Sequence, residues 1–150
     1  MNPIKDILVA EDNADDIFLL KRVFGRCRLQ ARLQFVCNGE EVLAYLRGEG
    51  AFSNRQRFPF PDLVLLDIKM PKKTGLDVLR EVRCDRRLKR LIMIVLTSSE
   101  EPSDINTAYD FNVNSYLIKS GDTCFLEQMF HKLDEYWLEL NQRPTCPNPN

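Results

Sequence analysis

The stretch Leu63-Val64-Leu65-Leu66-Asp67-Ile68-Lys69-Met70-Pro71 decides the fold. An unbroken apolar run stops at an acid, and a proline closes the segment soon after. A run this short, with no alternating polar positions, suits a strand buried on both faces of a parallel sheet. The same pattern recurs at 7–10, 92–96 and 116–118, and more weakly at 33–36. Amphipathic stretches lie between the runs: Ile17, Leu20, Phe24 and Cys27 keep to one helical face, as do Leu76, Leu79 and Val82. Asn38 with Glu41, and Thr74 with Asp77, have capping-box spacing at helix starts. The reading is α/β: a doubly wound five-stranded parallel sheet with five helices.

The chain has 150 residues, enough for one domain with a proper core. We place that domain at 1–140 and expect the Pro- and Asn-rich tail, 141–150, to be disordered. The connector 48–61 is long for a helix-to-strand loop, but Phe52, Phe58 and Phe60 predict that it packs onto the body. A net charge of −1 argues against nucleic acid as a partner. The basic cluster Arg83, Arg86, Arg87, Lys89 and Arg90 reads as a solvated turn. No apolar stretch approaches the roughly 18 residues of a membrane span or the length of a signal peptide. The five cysteines (Cys27, Cys37, Cys84, Cys124 and Cys146) form no C-x-x-C pair and read as reduced thiols. A cytoplasmic protein is expected.

Open α/β sheets bind ligands beyond the carboxyl ends of their strands. Glu11 and Asp12 follow the first run there, Asp67 the third, Thr97 and Ser98 the fourth and Lys119 the fifth. Taken singly, each has an ordinary explanation: Asp12, Asn13 and Asp15 as helix caps, Thr97 and Ser98 as turn formers, Lys119 as a surface charge. Together they are a specific set. Like charges about 4 Å apart repel by roughly 4 kcal/mol at an effective dielectric of 20, so the acids call for a cation. Hard carboxylate oxygens suit Mg²⁺. A cation would also make Asp67 a tolerable acceptor for a phosphoryl group, whose oxygens Lys119 could neutralise and the Thr97 hydroxyl could hydrogen-bond.

These residues carry a family resemblance. Ile-Leu-Val-Ala-Glu-Asp-Asn (7–13), Leu-Val-Leu-Leu-Asp-Ile-Lys-Met-Pro (63–71), Gly75, Ile-Val-Leu-Thr-Ser (94–98) and Tyr-Leu-Ile-Lys (116–119) resemble bacterial response-regulator receivers over nearly the whole chain. Leu-Arg-Gly-Glu-Gly (46–50), Pro-Lys-Lys-Thr-Gly (71–75) and Glu-Tyr-Trp-Leu (135–138) resemble the regulators paired with cyanobacterial phytochromes. The resemblance implies a flavodoxin-like receiver fold and a single-domain response regulator of a two-component pathway. It implies that Asp67 takes a phosphoryl group from a phosphohistidine on a sensor histidine kinase of the phytochrome type. Asp12 would bind Mg²⁺ directly, Glu11 through water, and the backbone carbonyl of Lys69 would complete the protein ligands. Thr97 and Lys119 would sense the phosphoryl group, and Tyr116 would swing inward as Thr97 moves, altering the face around the fourth helix, 102–111.

Two positions depart from the family pattern. Receivers place a proline after the lysine, with a cis bond; here Ser120 follows Lys119. A cis bond before a residue other than proline costs about 3–4 kcal/mol, so we expect either a trans bond with a rearranged loop or a strained cis bond. Ser120 also invites a rival reading, a receiver-like adaptor that binds partners without phosphorylation. Lys69 stands where receivers tune hydrolysis of the acyl phosphate. It also stands where aspartyl phosphatases, by resemblance, carry a second Asp, so an enzyme is not expected. The single histidine, His131, reads as a surface or partly buried helix residue.

The last helix, from about Asp122, carries a heptad seam: Leu126, Phe130, Leu133, Trp137 and Leu140, flanked by Phe125, Met129 and Tyr136. One stripe must cover the sheet. The excess predicts a homodimer through the fourth and fifth helices, with output passing to an unidentified downstream protein.

Overall fold

A computed structural model describes residues 3–147. Strands β1 (Lys5–Ala10), β2 (Ala31–Val36), β3 (Leu63–Leu66), β4 (Met93–Thr97) and β5 (Ser115–Ile118) form one parallel sheet in the order β2-β1-β3-β4-β5. Helices α1 (Ala14–Cys27), α2 (Gly39–Arg47), α3 (Gly75–Cys84), α4 (Pro102–Asp110) and α5 (Thr123–Leu133) alternate with them. The expected doubly wound fold is the observed one. In β1, β3 and β4 the short apolar runs are buried as inferred because successive side chains enter opposite cores, whereas the edge strands β2 and β5 are only partly buried. Leu8, Ala10, Val64, Leu66, Met93 and Val95 pack with α2 and α3 through Val42, Leu46, Val78 and Val82. Ile7, Val9, Leu63, Leu65, Ile94 and Leu96 pack with α1 and α5 through Val23, Leu126 and Phe130.

Local signals place the helix starts. Asn13 caps α1, its side chain accepting from the Asp16 N–H at 2.9 Å. Thr74 and Asp77 form a reciprocal capping box on α3. Asn38 caps α2 through the Glu41 N–H, but the Glu41 carboxylate accepts from Cys37 and does not complete a box. The connector 48–61 packs as expected. A short 3-10 turn, Gly50–Phe52, brings Phe52 and Phe58 against Tyr45 with ring centroids 5.2 and 5.9 Å away.

Two segments differ from their expectations. The seam of α5 holds at Leu126, Phe130 and Leu133, all buried, and then shifts. From Asp134 to Leu140 the helix widens to a π-helix, so the next buried residue is Leu138, while Trp137 is half-buried and Leu140 is 73% exposed. The tail is the second. Residues 141–147 carry no helix or strand, yet they lie against the body: Arg143 pairs with Asp62 at 2.6 Å, Arg90 donates to the Thr145 carbonyl at 3.2 Å, and Cys146 packs on the core. The end of the expected tail, 148–150, lies outside the described residues.

Candidate functional site: an acidic trio with one lysine

Strand order fixes where the site forms. The chain reverses direction across the sheet between β1 and β3, and the crevice beyond their carboxyl ends is where such sheets take ligands. Glu11 and Asp12 follow β1, Asp67 follows β3, Thr97 ends β4 and Lys119 follows β5. Because Asn13 takes the capping role, Asp12 is left free to face the crevice. One oxygen from each of Glu11, Asp12 and Asp67 lies within 4.8 Å of the others.

Lys119 completes the group. Its ammonium donates to Asp67 Oδ2 at 2.8 Å, to Glu11 Oε2 at 2.7 Å and Oε1 at 3.0 Å, and to Asp16 Oδ2 at 2.9 Å. The Lys119–Ser120 bond is trans, as is every described peptide bond. Of the two expected outcomes, trans is the one found, and it leaves the amine aimed at Asp67. The turn after Lys119 is closed by Ser120 Oγ, which accepts from the Asp122 N–H at 3.0 Å.

Electrostatics follow from burial. Glu11 and Asp67 are buried side by side, and both cannot ionise freely. Burial, then the hydrogen bond to Asp67, pushes the Glu11 carboxyl up. Burial alone would raise Asp67 as well, but hydrogen bonds from Glu11, Lys119 and Thr97 outweigh it and hold Asp67 below the usual carboxylate range. Burial disfavours the Lys119 ammonium, yet its hydrogen bonds to Asp67, Glu11 and Asp16 win and its pKa rises. The same neighbourhood thus moves the two buried acids in opposite directions, Glu11 up and Asp67 down.

The remaining expected residues are mostly in place. Thr97 is fully buried, and its hydroxyl accepts from the Ser99 N–H at 3.4 Å. Tyr116 is half-buried on β5 and its hydroxyl donates to the Ser99 carbonyl at 2.9 Å. Lys69 is exposed; its N–H donates to Asp67 Oδ1 at 3.2 Å. Ser98 turns outward, and it is the buried Ser99 whose hydroxyl donates to Asp104 of α4 at 2.5 Å. His131 is exposed on α5. Sequence reasoning missed Asp16 and Ser99: nothing in a linear reading marks which first-turn acid of α1 faces Lys119, or which of two adjacent serines turns inward.

The donors fit a divalent cation. Three hard oxygens converge, two from buried residues and one from the exposed Asp12, which leaves a solvent side for the waters such an ion retains.

The model of the response regulator receiver domain matches residues 7–131. This chain belongs to the response regulator receiver family. Phosphorylation of an aspartate is typical of this family, whose members are generally non-enzymatic signalling proteins that bind a divalent metal at an acidic pocket. The receiver is 36% identical over 145 residues to the response regulator Rcp1 of Synechocystis sp., covering 97% of each chain. Among solved structures it is similar to the phosphorylated cyanobacterial phytochrome response regulator RcpA, with a TM-score of 0.84 and 38% identity over 94% of this chain and 99% of that one. A Mn²⁺-bound form of Rcp1 gives a TM-score of 0.80 and 33% identity over 94% and 99%. The receiver is thus homologous to phytochrome response regulators, which implies a histidine kinase as its partner. Among the described residues, no helix is long and apolar enough to cross a membrane.

Proposed function

We propose that this receiver is a phosphorylation switch whose acceptor is Asp67. The observation that carries the reading is a buried Asp67 with the Lys119 ammonium at 2.8 Å and the carboxyl oxygens of Glu11 and Asp12 within 4.8 Å. An oxygen of Asp67 attacks the phosphorus of a phosphohistidine on a sensor histidine kinase of the phytochrome type. The P–N bond breaks, and the freed imidazole nitrogen keeps the electron pair. Lys119 neutralises the added charge and the Thr97 hydroxyl hydrogen-bonds a phosphoryl oxygen. Glu11, Asp12, Asp67 and the Lys69 carbonyl would hold Mg²⁺, which when bound neutralises charge on the transferring group.

The output is a changed protein surface. Tyr116 holds the β4–α4 loop through the Ser99 carbonyl, and Ser99 holds Asp104 at the start of α4. Movement of Thr97 toward the phosphoryl group releases that chain of contacts, Tyr116 turns inward, and the α4 face changes for a downstream protein. Dimerisation through the α4 and α5 side fits the apolar surface that remains there. Leu117, Phe125, Met129, Leu133, Tyr136 and Trp137 line an open groove of about 370 Å³, with Phe125 and Tyr136 exposed. Free thiols accord with the cytoplasm.

The rival reading, an adaptor that needs no phosphorylation, rested on Ser120. A trans bond that keeps Lys119 on Asp67 removes its main support. Incubating the chain with a small-molecule phosphodonor and Mg²⁺, then measuring its mass, tests the two. One phosphoryl adduct, absent in Asp67→Asn, is expected; no adduct in the unaltered chain favours the adaptor.

A further inference from the structure

Lys119 donates to three carboxylates, and only two of them belong to the acidic trio. The third, Asp16, stands on the first turn of α1, where the Asn13 cap pins its backbone N–H at 2.9 Å. Its side chain is 39% exposed, and its Oδ2 lies 2.9 Å from the Lys119 amine. Leu20, Leu96 and Leu126 line the small crevice beside the contact together with Asp16 and Lys119, and the Lys119 side chain is only 17% exposed.

A cation among Glu11, Asp12 and Asp67 would compete with Lys119 for the same oxygens and repel it. An ammonium is strongly hydrated and sits on a flexible stem, so one that loses its partners turns to water. Asp16 contacts the amine from outside the cation's ligand set. We propose that Asp16 is the positioning residue that keeps the Lys119 ammonium beside Asp67 when a divalent cation draws Glu11 and Asp67 to itself. Its consequence for phosphorylation rests on the reading of Asp67 as acceptor. Its neighbour Asp15 supplies the internal control: it lies in the same helical turn and carries the same charge, but it forms no ion pair among the described residues. A general effect of negative charge on the helix or on an anionic donor would be shared by both, and removing mere repulsion would speed phosphorylation.

The test uses the full chain and the variants Asp16→Asn, Asp15→Asn and Asp16→Glu. An amine-acylating reagent, read by peptide mass spectrometry, reports access to Lys119 with and without Mg²⁺. Labelling in Mg²⁺ should rise about fivefold in Asp16→Asn, stay unchanged in Asp15→Asn and return toward the unaltered level in Asp16→Glu. The phosphorylation rate at saturating phosphodonor should fall about fivefold in Asp16→Asn, with half-saturating donor within about twofold. Equal labelling of Asp16→Asn and the unaltered chain in Mg²⁺, or faster phosphorylation of Asp16→Asn, overturns the anchor. An unaltered chain that takes up no phosphoryl group yet shows the labelling contrast overturns the acceptor reading and supports the anchor.

Discussion

Gly75 closes directly against Asp67. Its N–H donates to the Ile68 carbonyl at 2.8 Å, and a Cβ at this position would collide with the backbone carbonyl oxygen of Asp67. The start of α3 therefore presses on the backbone that carries the proposed acceptor.

Gly75→Ala separates two opposing effects. Alanine is the better helix former by roughly 0.5–1 kcal/mol, so helix propensity alone predicts a stabler protein. The clash meets backbone, which cannot turn aside, and overpacking of this kind costs about 1–3 kcal/mol. We expect net destabilisation in denaturant unfolding, together with slower phosphorylation as the Asp67 loop shifts. Stability equal to or above that of the unaltered chain would show that the loop yields without strain.

A longer lifetime of the phosphorylated form is expected from Lys69. Its backbone is tied to Asp67 Oδ1, while its exposed side chain makes no ion pair among the described residues and is free to lie over an added phosphoryl group. Lys69→Asn keeps the backbone contact and removes the long cation. The acyl phosphate should hydrolyse faster in the variant when its decay is followed by mass; an unchanged lifetime removes the role.

Arg83 was expected to belong to a solvated basic turn, and its contacts differ. It donates to the carbonyls of Asn112, Lys89 and Leu91 and to Asn114 Oδ1, all within 2.9 Å, tying the chain before β4 to the chain before β5. Arg83→Met leaves several of these acceptors without a donor, at about 2–4 kcal/mol. Denaturant unfolding should register that loss, while phosphorylation of the folded variant proceeds, since these contacts lie at the opposite end of the strands from Asp67.

The apolar groove on α5 predicts an interface. Tyr136 is 52% exposed and Phe125 44%. Replacing both by Glu places charge where a partner would bury rings, so a dimer of the unaltered chain should dissociate in sedimentation. A chain that is only monomeric at micromolar concentration, phosphorylated or not, contradicts the dimer.

How far the sequence was legible depended on whether a residue's place follows from a strand run or from how a helix is rotated. The central strands could be read because each carries a local apolar run that is buried throughout, as 63–66 shows. The site could be read because its residues follow directly from strand ends. Asp16 could not, since it stands within α1, away from any strand end, and its meeting with Lys119 depends on the rotation of α1 against β5. The seam of α5 failed at Leu140 because a heptad count assumes an unchanging helix, and the π-helical widening moved Leu138 inward. The packed segment 141–147 was missed because composition records the cost of ordering a chain and not the acids, such as Asp62, that hold it.

The central claim is that Asp67, and no neighbouring acid, carries the phosphoryl group. Borohydride reduces an aspartyl phosphate to homoserine, and tandem mass spectrometry of the trapped, phosphodonor-treated chain locates the change. Conversion at position 67 alone, dependent on Mg²⁺, is predicted. Conversion at Asp12 or Asp16, or none at all, would contradict it.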